Sequence, residues 1–281
     1  MLGLFEFMNT LIDLCNNYKN YLEVESSVHF DTFCNRLQSN PESAHGEAVV
    51  FSYLNSNKLK VKNFEDPAKG GPDFICEGYS KQFVVEVTSL DSNAVVFHSG
   101  IPNRIPDGVE AYPFNAINHL LKRKATEKAT QVSDLNIPRV LAITIEHVHS
   151  GLLFTTDMIQ NLMTGDTIIS VSLNDPDVKS KETTNLNNSV FFKFSKEDGK
   201  IVSCRRSISA IITLEIFNNE CRVLGVLHPD PAVKFSPGFL PTTPFLKLVE
   251  WPIKENKVFT EWVIHDPEST TFYYTYMYKG G

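Results

Sequence analysis

Apolar and polar positions change period several times along the chain, and these changes predict an α/β protein. Stretches with a period near 3.6 residues predict helices, and the third of them begins with Asn40 as a cap and Pro41 as the first helical residue. Apolar runs rich in β-branched residues predict strands in KLKVKNFED, FICEG, KQFVVEV and IPRVLAITIEHV. The predicted helices cover 4–22, 28–38, 41–57 and 114–132. The order helix, three strands, helix, strand is typical of an α/β fold.

The second half of the chain has a less regular pattern. TTDMIQNLMTG predicts a short helix, SLNDPDVKSKETTNLNNS an exposed loop, and SVFFKFS, SISAIITLEIF and CRVLGVL predict strands. The last forty residues contain several prolines and the run TFYYTYMY, and we expect an irregular, β-rich extension that ends in a strand. Three parts are therefore predicted: an N-terminal helical segment (1–38), an α/β core (39–235) with an insertion around 150–204, and a C-terminal extension (236–281) packed on the core.

The strands FICEG and KQFVVEV are close enough in sequence to form a hairpin, and its register decides where two carboxylates lie. A turn centred on Tyr79 and Ser80 would place Asp73 directly across from Glu86. Two carboxylates at opposed positions repel each other, so this register requires a cation. A slip of one residue would turn Asp73 to the other face. Alternation assigns Asp73, Ile75, Val84, Glu86 and Thr88 to one face and Phe74, Cys76, Phe83, Val85 and Val87 to the other.

A third carboxylate belongs to the helix before the hairpin. Glu47 precedes Val50, Phe51 and Leu54 at the three-, four- and seven-residue spacings of one helical face. A glutamate that extends an apolar stripe can reach the same site as the two strand carboxylates. Simpler interpretations remain open for each acid: a solvated edge strand for Glu86, turn chemistry after a glycine pair for Asp73, and an ordinary surface position for Glu47.

Composition restricts the classes of protein that fit. The net charge of −7 over 281 residues disfavours contact with polyanions except through a local basic patch. The candidates for such a patch are Lys122, Arg123, Lys193, Lys196, Lys200, Arg205 and Arg206. Five scattered cysteines without a CxxC pair argue against a disulfide framework and a thiolate zinc site, and they favour a reducing cytoplasm. The absence of a basic leader and of an uncharged apolar run of about 18 to 20 residues predicts no membrane partner.

Other chemistries have weaker support. The sequence contains neither a phosphate-binding G-x-x-x-x-G-K loop nor a G-x-S-x-G elbow, which excludes those two hydrolase patterns. His147 and His149 alternate near the end of a predicted strand, but no matching ligand cluster follows them, so we expect a structural or surface role.

The helical glutamate, the GPD sequence at the start of one strand and the E-x-T sequence inside the next together resemble the PD-(D/E)xK superfamily of restriction-endonuclease-like phosphodiesterases. Pro72 and Asp73 match the first element of its motif, Glu86 the second carboxylate and Glu47 the helical acid. Thr88 occupies the position of the family's lysine. The resemblance covers residues 40–146, with a weaker extension to about Pro237. It implies a core made of a helix, a three-stranded antiparallel meander, a helix and a strand.

The resemblance also implies a cofactor and a set of roles. Asp73, Glu86, the carbonyl of Val87 and Glu47 would hold Mg²⁺, with Mn²⁺ as a substitute, because a hard cation takes oxygen ligands. Thr88 cannot supply the positive charge of the missing lysine. Lys124, Lys128 and Gln131 share one face of the helix over 114–132, and a displaced lysine there can serve instead. Lys128 is the first choice and Lys124 the second, whereas Lys81 lies too near the hairpin turn.

Three functions compete on this basis. The first is a metal-dependent nuclease acting on nucleic acid, in the first place DNA, with catalytic residues Glu47, Asp73, Glu86, Thr88 and Lys128. The second is a catalytically inactive nuclease fold that binds nucleic acid or protein, which the substitution at Thr88 and the acidic balance both favour. The third is an unrelated small-molecule or metal enzyme on an α/β scaffold. A homodimer is compatible with all three.

Overall fold

The architecture is an α/β arrangement around a mixed β-sheet. It is seen in a computed structural model that describes residues 4–6, 10–65, 70–105, 115–130, 136–170, 181–217, 220–253, 258–264 and 272–274. The helices are α1 (Leu11–Glu25), α2 (Ser27–Ser39), α3 (Pro41–Ser56), α4 (Ser92–Ser99), α5 (Asn115–Thr130), α6 (Ser150–Leu153) and α7 (Thr156–Thr164). Single 3₁₀ turns lie at Leu186–Asn188 and Pro237–Phe239.

The strands form one large sheet and two separate hairpins within the described residues. In chain order they are β1 (Leu4–Glu6), β2 (Lys60–Asn63), β3 (Phe74–Gly78), β4 (Lys81–Leu90), β5 (Arg139–Ile145), β6 (Asp166–Ser170), β7 (Lys181–Asn185), β8 (Phe192–Ser195), β9 (Lys200–Ser203), β10 (Ala210–Phe217), β11 (Glu220–Leu227), β12 (Phe245–Leu248), β13 (Thr260–Ile264) and β14 (Phe272–Tyr274). The large sheet has the order β14-β13-β12-β11-β10-β5-β4-β3-β2, with β1 beside β11. The pairs β6-β7 and β8-β9 form the hairpins.

The sheet is mixed, with a parallel group of strands in its middle. Strands β2, β3 and β4 form an antiparallel meander, whereas β5 runs parallel to both β4 and β10. A parallel neighbour requires a crossover, and α4 and α5 supply it between β4 and β5. The order α3, β2, β3, β4, α5, β5 follows the predicted order of helix, three strands, helix and strand.

Apolar side chains cover both faces of the sheet and pack against helices there. On one face Phe74, Phe83 and Val85 join a core with buried residues of α1, α2 and α3. On the other face Leu141 and Ile143 of β5 join a core with α4, α5 and α7. The strands β4 and β5 are therefore covered on both sides, which explains their nearly continuous apolar runs.

Helix α3 is held against β4 and β5 by a close approach at Gly46. Its N-terminus is capped by Asn40, whose side chain accepts a hydrogen bond from the Ser43 amide, as expected from the sequence. A Cβ atom on Gly46 would lie 2.3 Å from Thr144 Oγ1 and 2.6 Å from Ser89 Oγ. Only glycine, which has no side chain, allows the helix to come this near to the strands. The next residue, Glu47, is therefore held close to β4 and β5.

The prediction of a helix beginning at residue 4 is wrong. Residues Leu4–Glu6 form β1 and pair with β11, so the first apolar run is used by the sheet. The helix begins after Thr10, whose side chain forms a reciprocal capping pair with Asp13.

Helix α4 was absent from the sequence prediction, although its ends carry ordinary signals. Asp91 caps its first turn by accepting a hydrogen bond from Ala94, and Gly100 ends it in the left-handed region. The helix is only eight residues long and mostly apolar, so it shows little helical periodicity. Residues 114, 131 and 132 of the predicted fourth helix, Gln131 included, lie outside the described residues.

Two predictions for the second half need correction. The polar segment predicted as a loop, 172–189, contains β7, which pairs with β6, while residues 172–180 lie outside the described residues. The C-terminal part is β-rich as expected, but it is not an irregular appendage. Strands β12, β13 and β14 continue the main sheet from β11.

The cysteines of the chain form no disulfide bonds. Cys15, Cys34, Cys76, Cys204 and Cys221 are all unpaired thiols. Among the described residues, no helix combines the length and apolar character needed to cross a bilayer.

Candidate functional site

The β3–β4 hairpin adopts the predicted register. Gly78 pairs with Lys81 and Phe74 with Val85, and the turn residues Tyr79 and Ser80 both have positive φ angles, 52° and 60°. Two left-handed residues in succession are characteristic of a tight hairpin turn whose twist matches the strands. The predicted faces are also confirmed, because Phe74, Cys76, Phe83, Val85 and Val87 all pack in or against a single core.

Asp73 lies one residue before the start of β3 and remains part of the hairpin. Its Oδ2 atom accepts a hydrogen bond of 2.6 Å from the Val87 amide, and its own carbonyl accepts one from Phe64. The carboxylate therefore replaces a backbone acceptor at the end of the β3–β4 ladder. This contact fixes Asp73 beside the segment Glu86–Thr88.

Glu86 is buried, with 5 % of its surface exposed, and it is neutralised from two sides. Lys128 Nζ of α5 donates to its Oε1 at 2.6 Å. Arg139 Nη2, at the start of β5, lies 3.4 Å from its Oε2. Arg139 is itself buried, and its Nη1 atom has no hydrogen-bond partner. A lone carboxylate here would cost several kcal/mol, and the two cations offset that cost.

Glu47 lies on the core-facing stripe of α3, as predicted, and is also buried. Tyr18 of α1 donates its hydroxyl hydrogen bond to Oε1 at 2.7 Å, and Arg36 of α2 forms a short ion pair with Oε2. Burial raises the pKa of the Glu47 carboxyl, although the charge of Arg36 and the bond from Tyr18 oppose that effect. Both oxygens are thus engaged by groups from the N-terminal helices.

The three acids influence one another through their charges. Burial, followed by the negative charges of Glu47 and Glu86, raises the pKa of the Asp73 carboxyl well above its usual range. The hydrogen bond from the Val87 amide acts in the opposite direction. Of the three, Asp73 is the acid without a cationic partner in the described structure, so negative potential accumulates at its carboxylate.

Asp73 and Glu86 line a cleft of about 350 Å³ between α3, α5 and the end of β4, whereas Glu47 does not line it. Five carboxylates and three cationic side chains among the described residues line it: Glu42, Glu65, Asp73, Glu86, Asp91, Arg36, Lys124 and Lys128. Thr88 and Val87 line the same cleft. Thr88 therefore lies beside Lys128, while Lys81 is exposed near the hairpin turn and does not line the cleft.

The donor set fits a hard divalent cation with few protein ligands. Within the described part of the chain, no group of three or more His, Cys, Asp and Glu side chains is arranged to hold a metal ion by itself. Magnesium, however, commonly takes only one or two carboxylates and completes its shell with water and substrate oxygens. Asp73, with its raised pKa and no cationic partner, and the neighbouring Glu86 satisfy that smaller requirement. Glu47 would first have to release Arg36 or Tyr18.

Sequence reasoning missed several residues of the cleft. Arg139 is the first residue of a strand that is otherwise apolar, and such an isolated charge is a recognisable signal. Arg36 and Tyr18 gave no signal, because their partner Glu47 is 11 and 29 residues away. Glu65, which also raises the pKa of Asp73, was likewise unmarked.

The two histidines lie away from the cleft. His147 and His149 follow the end of β5 with their ring centroids 5.8 Å apart. His147 is buried, and its Nδ1 accepts a hydrogen bond from the His149 amide. His149 Nε2 contacts the carbonyl of Arg104 at 2.8 Å.

Known proteins offer no parallel from which the role of the cleft can be transferred. Comparison of the chain with protein-family models, with curated protein sequences and with solved structures yields no match.

Proposed function

We propose that the chain is a metal-dependent nuclease that hydrolyses phosphodiester bonds of nucleic acid in the cleft between α3, α5 and β4. The observation that carries this proposal is the convergence of Asp73 and Glu86 in one cleft, with Lys128 bound to Glu86. An acidic pair with an adjacent lysine is one group of side chains that can support divalent-metal phosphodiester hydrolysis.

The topology supports the same proposal. The acids are carried by α3, by the start of β3 and by the middle of β4, and the lysine by α5. This is the distribution implied by the resemblance to the PD-(D/E)xK superfamily, in which a helix precedes an antiparallel meander and a second helix leads to a parallel strand. The lysine comes from α5 because Thr88 occupies its usual place in the strand.

Asp73, Glu86 and the carbonyl of Val87 would hold Mg²⁺ or Mn²⁺. The ion supplies a positive charge that orients the phosphodiester, acidifies an attacking water and stabilises the departing oxygen. Glu47 holds Arg36, which lines the cleft, and the buried Tyr18, and it contributes negative potential at Asp73.

The chain's own cations have separate tasks in this proposal. Lys128 lies within hydrogen-bond distance of Glu86 and is partly exposed in the cleft, so its ammonium group can also orient a phosphate oxygen. Arg139 is buried and remains with Glu86, which holds that carboxylate in one orientation. Thr88 lines the cleft and offers a hydroxyl, but no charge.

Charge-neutral substitutions of the two strand acids test the proposal. We expect Glu86→Gln and Asp73→Asn each to lower Mg²⁺-dependent cleavage of DNA or RNA by at least about 100-fold, because both remove a ligand charge while keeping the side-chain shape. The measurement is the rate of cleavage of labelled DNA and RNA substrates in Mg²⁺ and in Mn²⁺.

Glu77→Gln is the matched control, since Glu77 lies on the same hairpin outside the cleft, where its carboxylate accepts a hydrogen bond from Gln82. It should retain the activity of the parent protein. Cleavage that survives unchanged in Glu86→Gln would contradict the assignment.

A catalytically inactive binding protein is the second candidate, and two observations favour it. Thr88 occupies the position of the expected lysine, and Glu86 is already neutralised by Lys128 and Arg139. This alternative predicts nucleic-acid binding without cleavage by the parent protein in either metal. The same assay therefore separates the two functions.

A further inference from the structure

A second groove lies on the flank of α5 away from the cleft. It has a volume of about 400 Å³ and is bordered by α5, the β8–β9 hairpin and the turn after β9. Three cations line it: Lys122 of α5, Lys193 of β8 and Arg205 of the turn. Residues 122, 126 and 129 share one side of the helix, whereas 124 and 128 face the cleft.

Arg205 is fixed in this groove by contacts along its side chain. Its Nε donates to Thr126 Oγ1 at 2.8 Å, and its Nη1 donates to the Val190 carbonyl at 2.6 Å. Its backbone has a φ of 57°, an unusual value for a residue other than glycine. The guanidinium group is therefore oriented before any ligand arrives, which lowers the entropic cost of binding an anion.

The three cations of the groove have no ion-pair partner among the described residues. Lys122 Nζ donates a hydrogen bond to the carbonyl of Asn187. Burial, followed by the positive charge of Arg205, lowers the pKa of Lys122, while the negative charge of Asp166 acts in the opposite direction. Within the described residues, no carboxylate forms an ion pair with Lys122, Lys193 or Arg205. Three cations that share one groove and lack an ion-paired carboxylate among the described residues, on a protein of net charge −7, indicate an anion site.

The remaining candidates for a basic face do not contribute to this groove. Arg123 lies 3.6 Å from Glu127, and Arg206 is paired with Asp230. Lys196 and Lys200 are exposed at the end of the β8–β9 hairpin, next to Glu197 and Asp198. Of the seven cations that the sequence suggested for a basic face, three line the same groove: Lys122, Lys193 and Arg205.

We propose that the groove formed by Lys122, Lys193 and Arg205 binds backbone phosphates of the nucleic acid whose phosphodiester bond lies in the cleft, so that the strand crosses α5. This inference rests on the proposed function. An open, hydroxyl-containing groove with three cations suits a phosphate backbone, since Thr126 and Thr130 lie among the charges.

Binding measured without divalent metal tests the groove separately from the chemistry. We expect Lys122→Ala and Lys193→Ala each to weaken binding of a fluorescent DNA duplex, or of its single strands, by about 5-fold or more in EDTA. Each should also lower the magnitude of the slope of log affinity against log salt concentration by about one unit, as expected for the loss of one phosphate contact. The readout is fluorescence anisotropy over a series of salt concentrations.

Lys81→Ala is the matched control, because it removes one exposed lysine near the hairpin turn, outside both sites. It should leave affinity and salt slope unchanged. Circular dichroism and melting curves of all variants show whether any loss reflects unfolding.

The outcomes are distinct. Equal affinity and equal salt slope in the parent protein and the groove variants would overturn the inference, as would the absence of nucleic-acid binding by the parent protein. Binding that depends on the groove in a parent protein that cleaves nothing would support the inference and contradict the nuclease proposal.

Discussion

Glu86 is a buried carboxylate whose two oxygens face two different cations, Lys128 from α5 and Arg139 from β5. The two cations are not equivalent. Arg139 has 7 % of its side chain exposed and Lys128 has 23 %, so only the lysine is accessible from the cleft. Arg139 therefore stabilises the fold around Glu86, and Lys128 is the cation that can act on a ligand.

Moving the lysine from position 128 of α5 to position 88 of β4 tests whether Lys128 acts on the substrate while Arg139 stabilises the fold. We expect Lys128→Met to lower Mg²⁺-dependent cleavage by about 100-fold, since it removes the ammonium group that is bound to Glu86. Adding Thr88→Lys to that variant should restore part of the activity, because residue 88 lines the same cleft. The measurement is single-turnover cleavage of the four proteins of the cycle.

Thr88→Lys alone places a second ammonium group beside Lys128, and we expect no gain in rate from it. Lys124→Met is the control on the same helix, since Lys124 lines the cleft but contacts Glu127 instead of Glu86. Equal losses in Lys124→Met and Lys128→Met would show that overall charge, not the contact with Glu86, matters.

The local sequence pattern was sufficient to predict the hairpin, but not to predict which side chains from elsewhere in the chain contact it. The turn at Tyr79 and Ser80 and strict alternation determine the register, so Asp73 and Glu86 could be placed from the sequence. The partner Arg139 is 53 residues from Glu86, and Tyr18 is 29 residues from Glu47. Such pairs depend on how helices and strands meet in space, which local periodicity does not encode.

At the scale of elements, helix α3 packs closely against the sheet because residue 46 is a glycine and has no side chain. Gly46 faces Thr144 of β5 and Ser89 of β4, whose hydroxyl groups are 2.8 Å apart. The backbone of α3 approaches the sheet at this point, and Ser89 also donates to the Glu42 carbonyl. The helix that carries Glu47 is thereby fixed relative to the strand that carries Glu86.

Gly46→Ala should separate these elements. The new Cβ would lie within 3 Å of two hydroxyl oxygens, so we expect a loss of about 1–3 kcal/mol in the free energy of unfolding despite the better helix propensity of alanine. The measurement is urea denaturation. Adding Thr144→Ala to Gly46→Ala should recover part of the loss, because it removes the nearer oxygen.

Asn55→Ala is the control for helix propensity, since Asn55 is exposed near the end of α3. It should change the unfolding free energy by less than about 1 kcal/mol. A Gly46→Ala protein as stable as the parent would contradict the close approach.

Two of the differences between the predicted and observed elements depend on distant strand pairing. Leu4–Glu6 has an apolar pattern compatible with a helix, but the edge of β11 at Glu220–Arg222 offers it a strand partner. In the same way β12 gains its place from Gly225 and Val226 of β11, despite the prolines around it. Propensity was overridden by tertiary pairing in both cases.

At the scale of the whole molecule, the imidazole of His228 contacts several parts of the fold, and burial favours its uncharged form. It follows β11, its Nδ1 accepts a hydrogen bond from the Asp230 amide, and its Nε2 contacts the Cys204 carbonyl at 2.9 Å. Its ring also packs on Phe191, with centroids 4.4 Å apart. Burial lowers the pKa of His228 to about 4.

Acidification should therefore destabilise the protein through His228. Below about pH 6.5 the unfolded chain takes up a proton that the folded chain resists, so stability is lost as the pH falls from there towards about 4. We expect this group to contribute about 2–3 kcal/mol across that window, and His228→Gln to flatten the dependence. The measurement is urea denaturation at a series of pH values.

His119→Gln is the control, because His119 is exposed on α5. Its stability should follow that of the parent protein at every pH. An unchanged slope in His228→Gln would mean that other groups cause the acid sensitivity.

If the cleft cleaves nucleic acid and the groove binds its backbone, as proposed, the position of α5 between them has a consequence for substrate length. A helix with its side chains is about 10–12 Å across, and successive nucleotides of a duplex strand rise by about 3.4 Å, so a strand must extend at least about three nucleotides beyond the scissile bond to reach Lys122. Oligonucleotides shorter than that would be turned over poorly even though they fill the acidic site. The protein would then act within long polymers and spare their short degradation products.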